Sequence, residues 1–152
     1  LRSFEGGCVF RPHRNWYSVH NLQTLKLSCS TGNDEVPDLA QAYANLDSLF
    51  FLGITEHYQA SFCLFFAKTH VLQPLPHFCD CTDQAAWQSF VGTHETHGVP
   101  PHSLSDLTEE DVRMIEELTK LDAQLYASAL RRFRYEAAEV EHRTGTKILC
   151  EG

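Results

Sequence analysis

His20 is the first side chain in this sequence whose type and position suit acid–base chemistry. It directly precedes Asn21, within a stretch whose apolar spacing is helical. Because imidazole titrates close to neutral pH, such a side chain can remove the proton of a hydroxyl group. His20 is therefore a candidate general base, and a histidine on a solvated helix surface is the alternative interpretation.

A second group of residues has side chains that zinc prefers. Cys79-Asp80-Cys81 lies close to His77, and a His-x-x-His pair stands at positions 94 and 97. Cysteine and histidine are the usual ligands of structural zinc, but Cys-x-Cys is not the common knuckle spacing. The sequence therefore favours disulfides or free thiols over zinc, and we expect no metal.

The six cysteines fall into two kinds of sequence context. Cys63 lies inside an apolar helical run, which predicts a buried free thiol. The other five lie in loop-like or terminal stretches, where they can form disulfides if the compartment is oxidising. These five are Cys8, Cys29, Cys79, Cys81 and Cys150. The sequence leaves bridges and free thiols open at these positions.

The elements that position these residues centre on an apolar run, Leu-Phe-Phe-Leu-Gly-Ile, at residues 49–54. A strand buried on both faces of a parallel sheet has this pattern. Thr55 and Glu56 follow, and a cap residue with an acid suits the start of a helix. This helix, at about residues 57–69, is predicted to carry one broad apolar face. That face contains Tyr58, Phe62, Phe65 and Phe66. Strand, turn and helix together predict an α/β fold.

Helical spacing predicts further helices at residues 16–29 and 38–46, a short one near 83–91, and a helical last third from 108 to about 143. Thr108-Glu-Glu-Asp111 resembles a capping box, and Asp122 is a candidate second cap after Thr119. Gly145 suits the residue that ends the last helix. Four prolines interrupt residues 70–107, which we predict to be the least regular part.

The charge of the chain is negative and unevenly distributed. The formal net charge is −8, and residues 35–112 contain eleven acidic residues with Lys68 as the only base. Nucleic acids and anionic membranes bind basic surfaces, so this distribution argues against both as main partners. The 152 residues are enough for a single domain. No apolar run approaches the roughly 18 residues that span a bilayer.

Three short motifs follow one another along the chain. They are Asn21-Leu-Gln-Thr24, then Phe51-Leu-Gly-Ile-Thr-Glu56 with Ser61-Phe-Cys-Leu64, and finally Leu121-Asp-Ala-Gln-Leu-Tyr126. Their order and spacing over residues 16–143 resemble the C-terminal half of Golgi-type, membrane-anchored carbohydrate sulfotransferases. The resemblance implies a P-loop-like fold, 3′-phosphoadenosine-5′-phosphosulfate (PAPS) as co-substrate, and a glycan acceptor.

In that family a Lys-rich loop near the N-terminus holds the donor, and no segment of this sequence matches it. Arg11 and Arg14 are candidate remnants of the family's phosphate clamp, or a solvated pair. The family's basic lid loop corresponds here to residues 92–107, which contain no Lys or Arg. Thr93, His94 and Thr96 are then neutral candidates for cofactor binding, and neutral donors bind phosphate less strongly than charged ones.

We therefore predict a helix-rich, partial P-loop-like α/β fold with a short parallel sheet remnant and two C-terminal helices. The predicted function is sulfate transfer from PAPS to a carbohydrate hydroxyl in the complete enzyme, with residues 1–152 inactive alone. The alternative is a degenerate, non-catalytic subunit of a larger assembly. The resemblance implies the Golgi lumen or secretory pathway, with no membrane contact by this segment.

Some charged and polar residues are expected to be structural. Glu56, Asp122 and Tyr126 are interpreted as a turn contact, a cap and a packed ring rather than catalytic groups. A basic cluster near the end of the chain is interpreted as a solvated helix face paired with Glu136 or Glu139. Its members are Arg131, Arg132 and Arg134.

Overall fold

The computed structural model describes residues 20–28, 36–91 and 103–150. Most of these residues are helical. The helices are α1 (Leu22–Ser28), α2 (Leu39–Ser48), α3 (Tyr58–Thr69), α4 (Gln84–Gln88), α5 (Glu109–Leu118) and α6 (Lys120–Thr144), with 3₁₀ turns at Thr55–His57, His77–Cys79 and Leu104–Asp106. None of the helices in these ranges is both long enough and apolar enough to cross a membrane.

The predicted α/β fold, with its partial P-loop-like sheet, is wrong for the part of the chain that the structure describes, which contains no β-strand. Ile54 has an extended backbone, with φ −116° and ψ 125°, but residues 51–54 belong to no sheet. A strand needs hydrogen bonds to a neighbouring strand, and the described residues provide none here. Phe50 is 64% exposed, so the apolar run is also not buried on both faces.

The chain divides into two compact units. The first unit contains residues 1–49 and 101–127, and the second contains residues 50–100 and 128–152. Helix α6 contributes residues 120–127 to the first unit and residues 128–144 to the second.

In the first unit, α1 and α2 pack against each other. Ala42 and Leu46 of α2 are buried, and Asp38 caps this helix by accepting the Gln41 N–H at 3.0 Å. The amide of Asn45 donates to the carbonyl of Leu27 at 2.6 Å, which ties α2 to α1. The helix predicted at residues 38–46 is therefore confirmed.

Helix α5 also lies in the first unit, and it begins with the predicted capping box. The Thr108 hydroxyl accepts the Asp111 N–H at 3.2 Å, and the Asp111 carboxylate accepts the Thr108 N–H at 2.9 Å. The Thr108 hydroxyl also donates to this carboxylate at 2.6 Å, and this bond, with the one from the Thr108 N–H, holds the pKa of Asp111 below its usual value. No residue of α5 is buried, so the cap, rather than packing, stabilises the start of this helix.

In the second unit, α3 packs through a different face from the predicted one. Its buried residues are mostly small: Ala60, Ser61, Cys63, Leu64 and Ala67. The aromatic side chains Tyr58, Phe62 and Phe65 are instead 60%, 41% and 44% exposed. Small side chains allow a neighbouring helix to approach closely, which an aromatic face does not.

Helix α6 supplies the matching apolar stripe of the second unit. Ala129, Phe133, Ala137 and Val140 follow at intervals of three and four residues, and all four are buried. The ring of His57 stacks on Phe133 with 5.8 Å between centroids. This stripe forms the main core of the unit.

The last described segment folds back along α6. Gly145 ends the helix with φ +72°, a conformation that glycine adopts without strain, so its predicted role is confirmed. The N–H groups of Ile148 and Leu149 both donate to Glu141 Oε1, at 3.0 and 2.9 Å. Ile148 is fully buried.

Two disulfides cross-link the second unit. Cys63 pairs with Cys79 and Cys81 pairs with Cys150, across Cα distances of 5.6 and 5.9 Å. The prediction of a free thiol at Cys63 is wrong, although its predicted burial is correct, because the 3₁₀ turn at His77–Cys79 brings Cys79 against α3. Helical periodicity contains no information about such a partner.

Candidate functional site

Asn21, a residue of the first motif, caps helix α6 from a distant part of the sequence. Its side-chain oxygen accepts the N–H of Leu121 at 2.7 Å and the N–H of Asp122 at 3.3 Å. These are N–H groups of the first turn of α6, which have no acceptor within the helix. Its own N–H donates to Leu118 O at 2.7 Å, and its φ is 47°, a left-handed value that asparagine tolerates.

Asp122 provides the reciprocal cap for α1. Its Oδ2 accepts the Gln23 N–H at 3.1 Å, and its Oδ1 accepts the Thr24 N–H and hydroxyl, both at 2.7 Å. A carboxylate at this position satisfies first-turn donors and lies at the positive end of the helix dipole. Asp122 of α6 thus caps α1, and Asn21, the residue directly before α1, caps α6. We call this set of residues, Asn21, Thr24, Leu121 and Asp122, the reciprocal cap.

The reciprocal cap corrects one prediction and supports another. Asp122 was predicted to cap the chain after Thr119, but it caps α1, while Asn21 caps α6. Asn21 and Thr24 are 2% and 0% exposed, so neither can reach a substrate in solution. Asp122 is thus a helix cap, as predicted, but of α1.

His20 lies at the exposed edge of the reciprocal cap. Its Nδ1 is 3.3 Å from the side-chain amide nitrogen of Asn21. When the amide donates this bond, Nδ1 is the unprotonated nitrogen of the neutral ring and is already occupied. His20 stays a candidate base, and base catalysis requires that this bond opens.

Not all of the other predicted ligand residues belong to the part of the chain that the structure describes. Thr93, His94 and Thr96, and with them Arg11 and Arg14, lie outside the described residues. In the ranges that are described, no group of three His, Cys, Asp or Glu side chains is placed to hold a metal ion. Cys79 and Cys81 are engaged in disulfides, so they are not thiolate ligands for zinc.

The second motif forms a turn that is held by Ser61 rather than by Thr55 or Glu56. The Ser61 hydroxyl accepts the Ile54 N–H at 2.8 Å and donates to the Ile54 carbonyl at 3.0 Å. Thr55 and Glu56 are exposed, and no side-chain cap precedes α3, so the predicted cap at Thr55 is wrong. The sequence feature that could have revealed this contact is Ser61 itself, a polar residue among the apolar positions of α3.

A shallow apolar cleft lies beside this turn. It has a volume of about 270 Å³ and lies between residues 51–55 and the α3 side chains Tyr58, Phe62 and Phe65. Its lining contains few polar groups and no carboxylate, histidine or cationic side chain. The cleft can cover an apolar surface, but it offers no acid–base chemistry.

A partly buried group of three charges joins α3 to α6 in the second unit. Glu136 accepts hydrogen bonds from Lys68 at 2.7 Å and from Arg132 at 2.8 Å. Burial raises the pKa of Glu136, but the bonds from Lys68 and Arg132 together outweigh it and hold the pKa below its usual value. The predicted pairing of this basic cluster with Glu136 is confirmed for Arg132.

The described residues therefore bring the first and third motifs together through hydrogen bonds, and they use the second motif to form a turn. A comparison with protein-family models, with curated proteins and with solved structures finds no match to this chain.

Proposed function

We propose that this chain is the helical part of a PAPS-dependent carbohydrate sulfotransferase domain, and that residues 1–152 transfer no sulfate on their own. In the complete enzyme, a base removes the proton of a sugar hydroxyl and cationic groups stabilise the charge on the transferring sulfuryl group. This chain contributes the helices that carry the three motifs.

The observation that supports this proposal is the reciprocal cap. Asn21 and Thr24 come from one motif of the resemblance and Asp122 from another, 98 to 101 residues away. A chance similarity in composition gives no reason for the polar residues of two motifs to satisfy each other's helix ends. Their contact supports the proposal because it joins two motifs that the resemblance had placed far apart in sequence.

The resemblance implies a buried strand at residues 49–54, which the described residues do not contain, and this counts against the kinship. The proposal therefore includes no sheet in this part of the chain. It relies on the motif contacts in the first unit and on the Ser61 turn in the second. Lys68 and Arg132 are both engaged with Glu136. These two cations are thus held in the three-charge group that joins α3 to α6.

The disulfides bear on where the protein folds. Cys63–Cys79 and Cys81–Cys150 are typical of proteins that fold in an oxidising compartment. This supports the secretory pathway as the proposed location, and the Golgi lumen follows only from the resemblance.

The test compares residues 1–152 with a form extended by the residues encoded upstream of Leu1. Both are incubated with radiolabelled PAPS and a panel of glycans, and PAPS binding is measured by calorimetry. We expect binding and transfer only in a form that carries a donor loop. Sulfation by residues 1–152, or an extended form with a donor loop that binds no PAPS, would contradict the proposal.

The second candidate function is a non-catalytic subunit of a larger assembly. It is favoured by the sequence of residues 92–107, which contains no Lys or Arg where related enzymes place a basic lid. A start codon close to Leu1, with no donor loop encoded upstream, would favour this candidate over the enzyme.

A further inference from the structure

The two disulfides of the second unit differ in how far a reagent in solution can reach them. Cys63 and Cys79 are both 0% exposed. Cys150 is exposed and Cys81 is partly exposed. A thiolate reduces a disulfide by direct attack on one sulfur, so access to that sulfur limits the rate. Of these two bridges, Cys81–Cys150 is the one whose residues are accessible to this attack in the folded protein.

The same bridge holds a segment that has few other attachments. Residues 146–150 have no regular secondary structure. Their backbone is bound by Glu141, which accepts two N–H groups, and by the Cys81 N–H, which donates to Lys147 O at 2.8 Å. Ile148 is the only fully buried side chain of the segment. The Thr146 N–H also donates to the Thr144 hydroxyl at 3.2 Å. Without the bridge, one fully buried side chain and four backbone hydrogen bonds remain to hold the segment.

The partner cysteine, by contrast, lies in a well-ordered turn. Asp80 Oδ1 accepts both the N–H and the hydroxyl of Thr82, at 2.9 and 2.7 Å, which fixes the chain on either side of Cys81. Cys79 precedes this turn and is held by its own bridge to α3. When the Cys81–Cys150 bond breaks, residues 146–150 are therefore the side that moves.

We propose that the Cys81–Cys150 bridge is a thiol-sensitive latch. A small thiol opens it in the folded protein, residues 146–150 leave α6, and the Cys63–Cys79 bridge stays closed. Opening exposes Ile148 and frees the carboxylate of Glu141, while the α6 core around Phe133 keeps its packing.

The chemistry of the latch is thiol–disulfide exchange with a monothiol such as glutathione. Its thiolate attacks the Cys150 sulfur, the bond to Cys81 breaks, and Cys81 leaves with the electron pair as a thiolate that takes a proton from water. A second thiolate attacks the mixed disulfide, which releases Cys150 and the oxidised reagent. The protein gains two electrons, and two molecules of the reagent lose one each.

The test is a time course of the oxidised, folded chain in reduced glutathione. Samples are quenched with iodoacetamide, and each cysteine is quantified by peptide mass spectrometry. We expect Cys81 and Cys150 to be alkylated at least about tenfold faster than Cys63 and Cys79, since buried sulfurs react only after unfolding. Equal rates, or earlier reaction of the buried pair, would overturn the proposal.

Amide hydrogen exchange on the same samples tests the release of the segment. The amides of Ile148 and Leu149 are expected to lose protection when Cys150 is alkylated, while those of α3 keep theirs. The double variant C81S/C150S is expected to retain the helical circular dichroism of the parent chain and to show this exchange pattern without glutathione. If both amides in the double variant are as protected as in the oxidised parent, the bridge does not hold the segment against α6, and the latch is rejected.

Discussion

The two units are stabilised by different kinds of interaction. In the first unit, segments about a hundred residues apart are joined by hydrogen bonds from side chains to helix ends, with Asn21 and Asp122 at the centre. In the second unit, α3 and α6 each bury apolar side chains, and two disulfides and a three-charge group add cross-links. In the first unit, a single substitution removes the acceptor of several of these hydrogen bonds. The second unit is stabilised by several independent interactions.

The two units also differ in which residues they contain, motif residues in one and large core residues in the other. The first unit contains two of the three motifs, and the motif side chains that cap its helices have structural roles, with Asn21 and Thr24 buried. The second unit contains the larger buried apolar side chains, Phe133, Leu64 and Ile148. A loss of stability in one unit should therefore be visible as a loss of amide protection that begins in that unit.

The largest expected effect is in the second unit, at Phe133. Phe133→Ala removes a fully buried ring and should lower the free energy of unfolding by about 3–5 kcal/mol, because the cavity cannot collapse completely. Phe133→Leu keeps most of the volume and should cost less than about 2 kcal/mol. Urea unfolding followed by circular dichroism measures both. Similar losses for the two variants would show that the α6 stripe is not a packed core.

The next effect is in the first unit, at Asp122. Asp122→Ala leaves three donors without an acceptor and should cost about 2–3 kcal/mol, and Asp122→Asn should cost about 1 kcal/mol because it keeps one oxygen. Asp47→Ala, at an exposed site near the end of α2, is the matched control, with a change within about 0.5 kcal/mol. Equal effects at Asp122 and Asp47 would contradict the reciprocal cap.

Amide exchange on the Asp122 variants sharpens the comparison. Protection should be lost first at Gln23 and Thr24, whose N–H groups donate to the carboxylate. The amides of α3 should change less, because the disulfides and the apolar stripe of the second unit do not involve Asp122. Simultaneous loss in both units would show that the two units unfold together.

Helix positions could be predicted from the sequence because they depend on local signals. Asp38, the Thr108–Asp111 capping box and Gly145 all act within a few residues of the helix end that they define. Spacing of apolar residues located α3 and α6 for the same reason. Interactions that span one or two helical turns lie within the short stretch of sequence from which helical spacing is read.

Residues 49–54 were wrongly predicted to form a strand, because an apolar run indicates a tendency to be buried but does not identify a partner strand. Only Ile54 of this run is fully buried. The buried face of α3 was predicted wrongly for the same reason. Large aromatic side chains were expected to face the core, whereas the buried residues of α3 are mostly small. Tertiary packing decides between such faces, and it depends on distant segments.

The candidate site shows the same limit. Asn21, Thr24 and Asp122 were all recognised as motif residues, but the hydrogen bonds between them cross about a hundred residues of sequence. Ser61 was recognised only as part of a motif, and the Cys63–Cys79 pairing was missed. Residue types limit which contacts are possible, and the fold selects which of them form.

The smallest expected effect concerns the three charges of the second unit and depends on pH. Because the pKa of Glu136 is lowered in the folded protein, its ion pairs stabilise the fold above the unfolded pKa and lose this contribution as the pH falls through the folded pKa. Glu136→Gln should therefore cost about 1–2 kcal/mol near neutral pH, since the group is only partly buried. The cost should shrink steadily in acid, where the parent carboxyl is itself protonated.

Glu139→Gln is the control for this measurement, because Glu139 lies on the exposed side of the same helix beside Tyr135, whose pKa it raises. Its effect on the free energy of unfolding should stay within about 0.5 kcal/mol at every acidic pH. Unfolding by urea across the acidic range gives both curves. A Glu136→Gln cost that does not change with pH would mean that shape and hydrogen bonding, rather than charge, join α3 to α6. The second unit would then be held by packing and disulfides alone, and its contrast with the first unit would be greater.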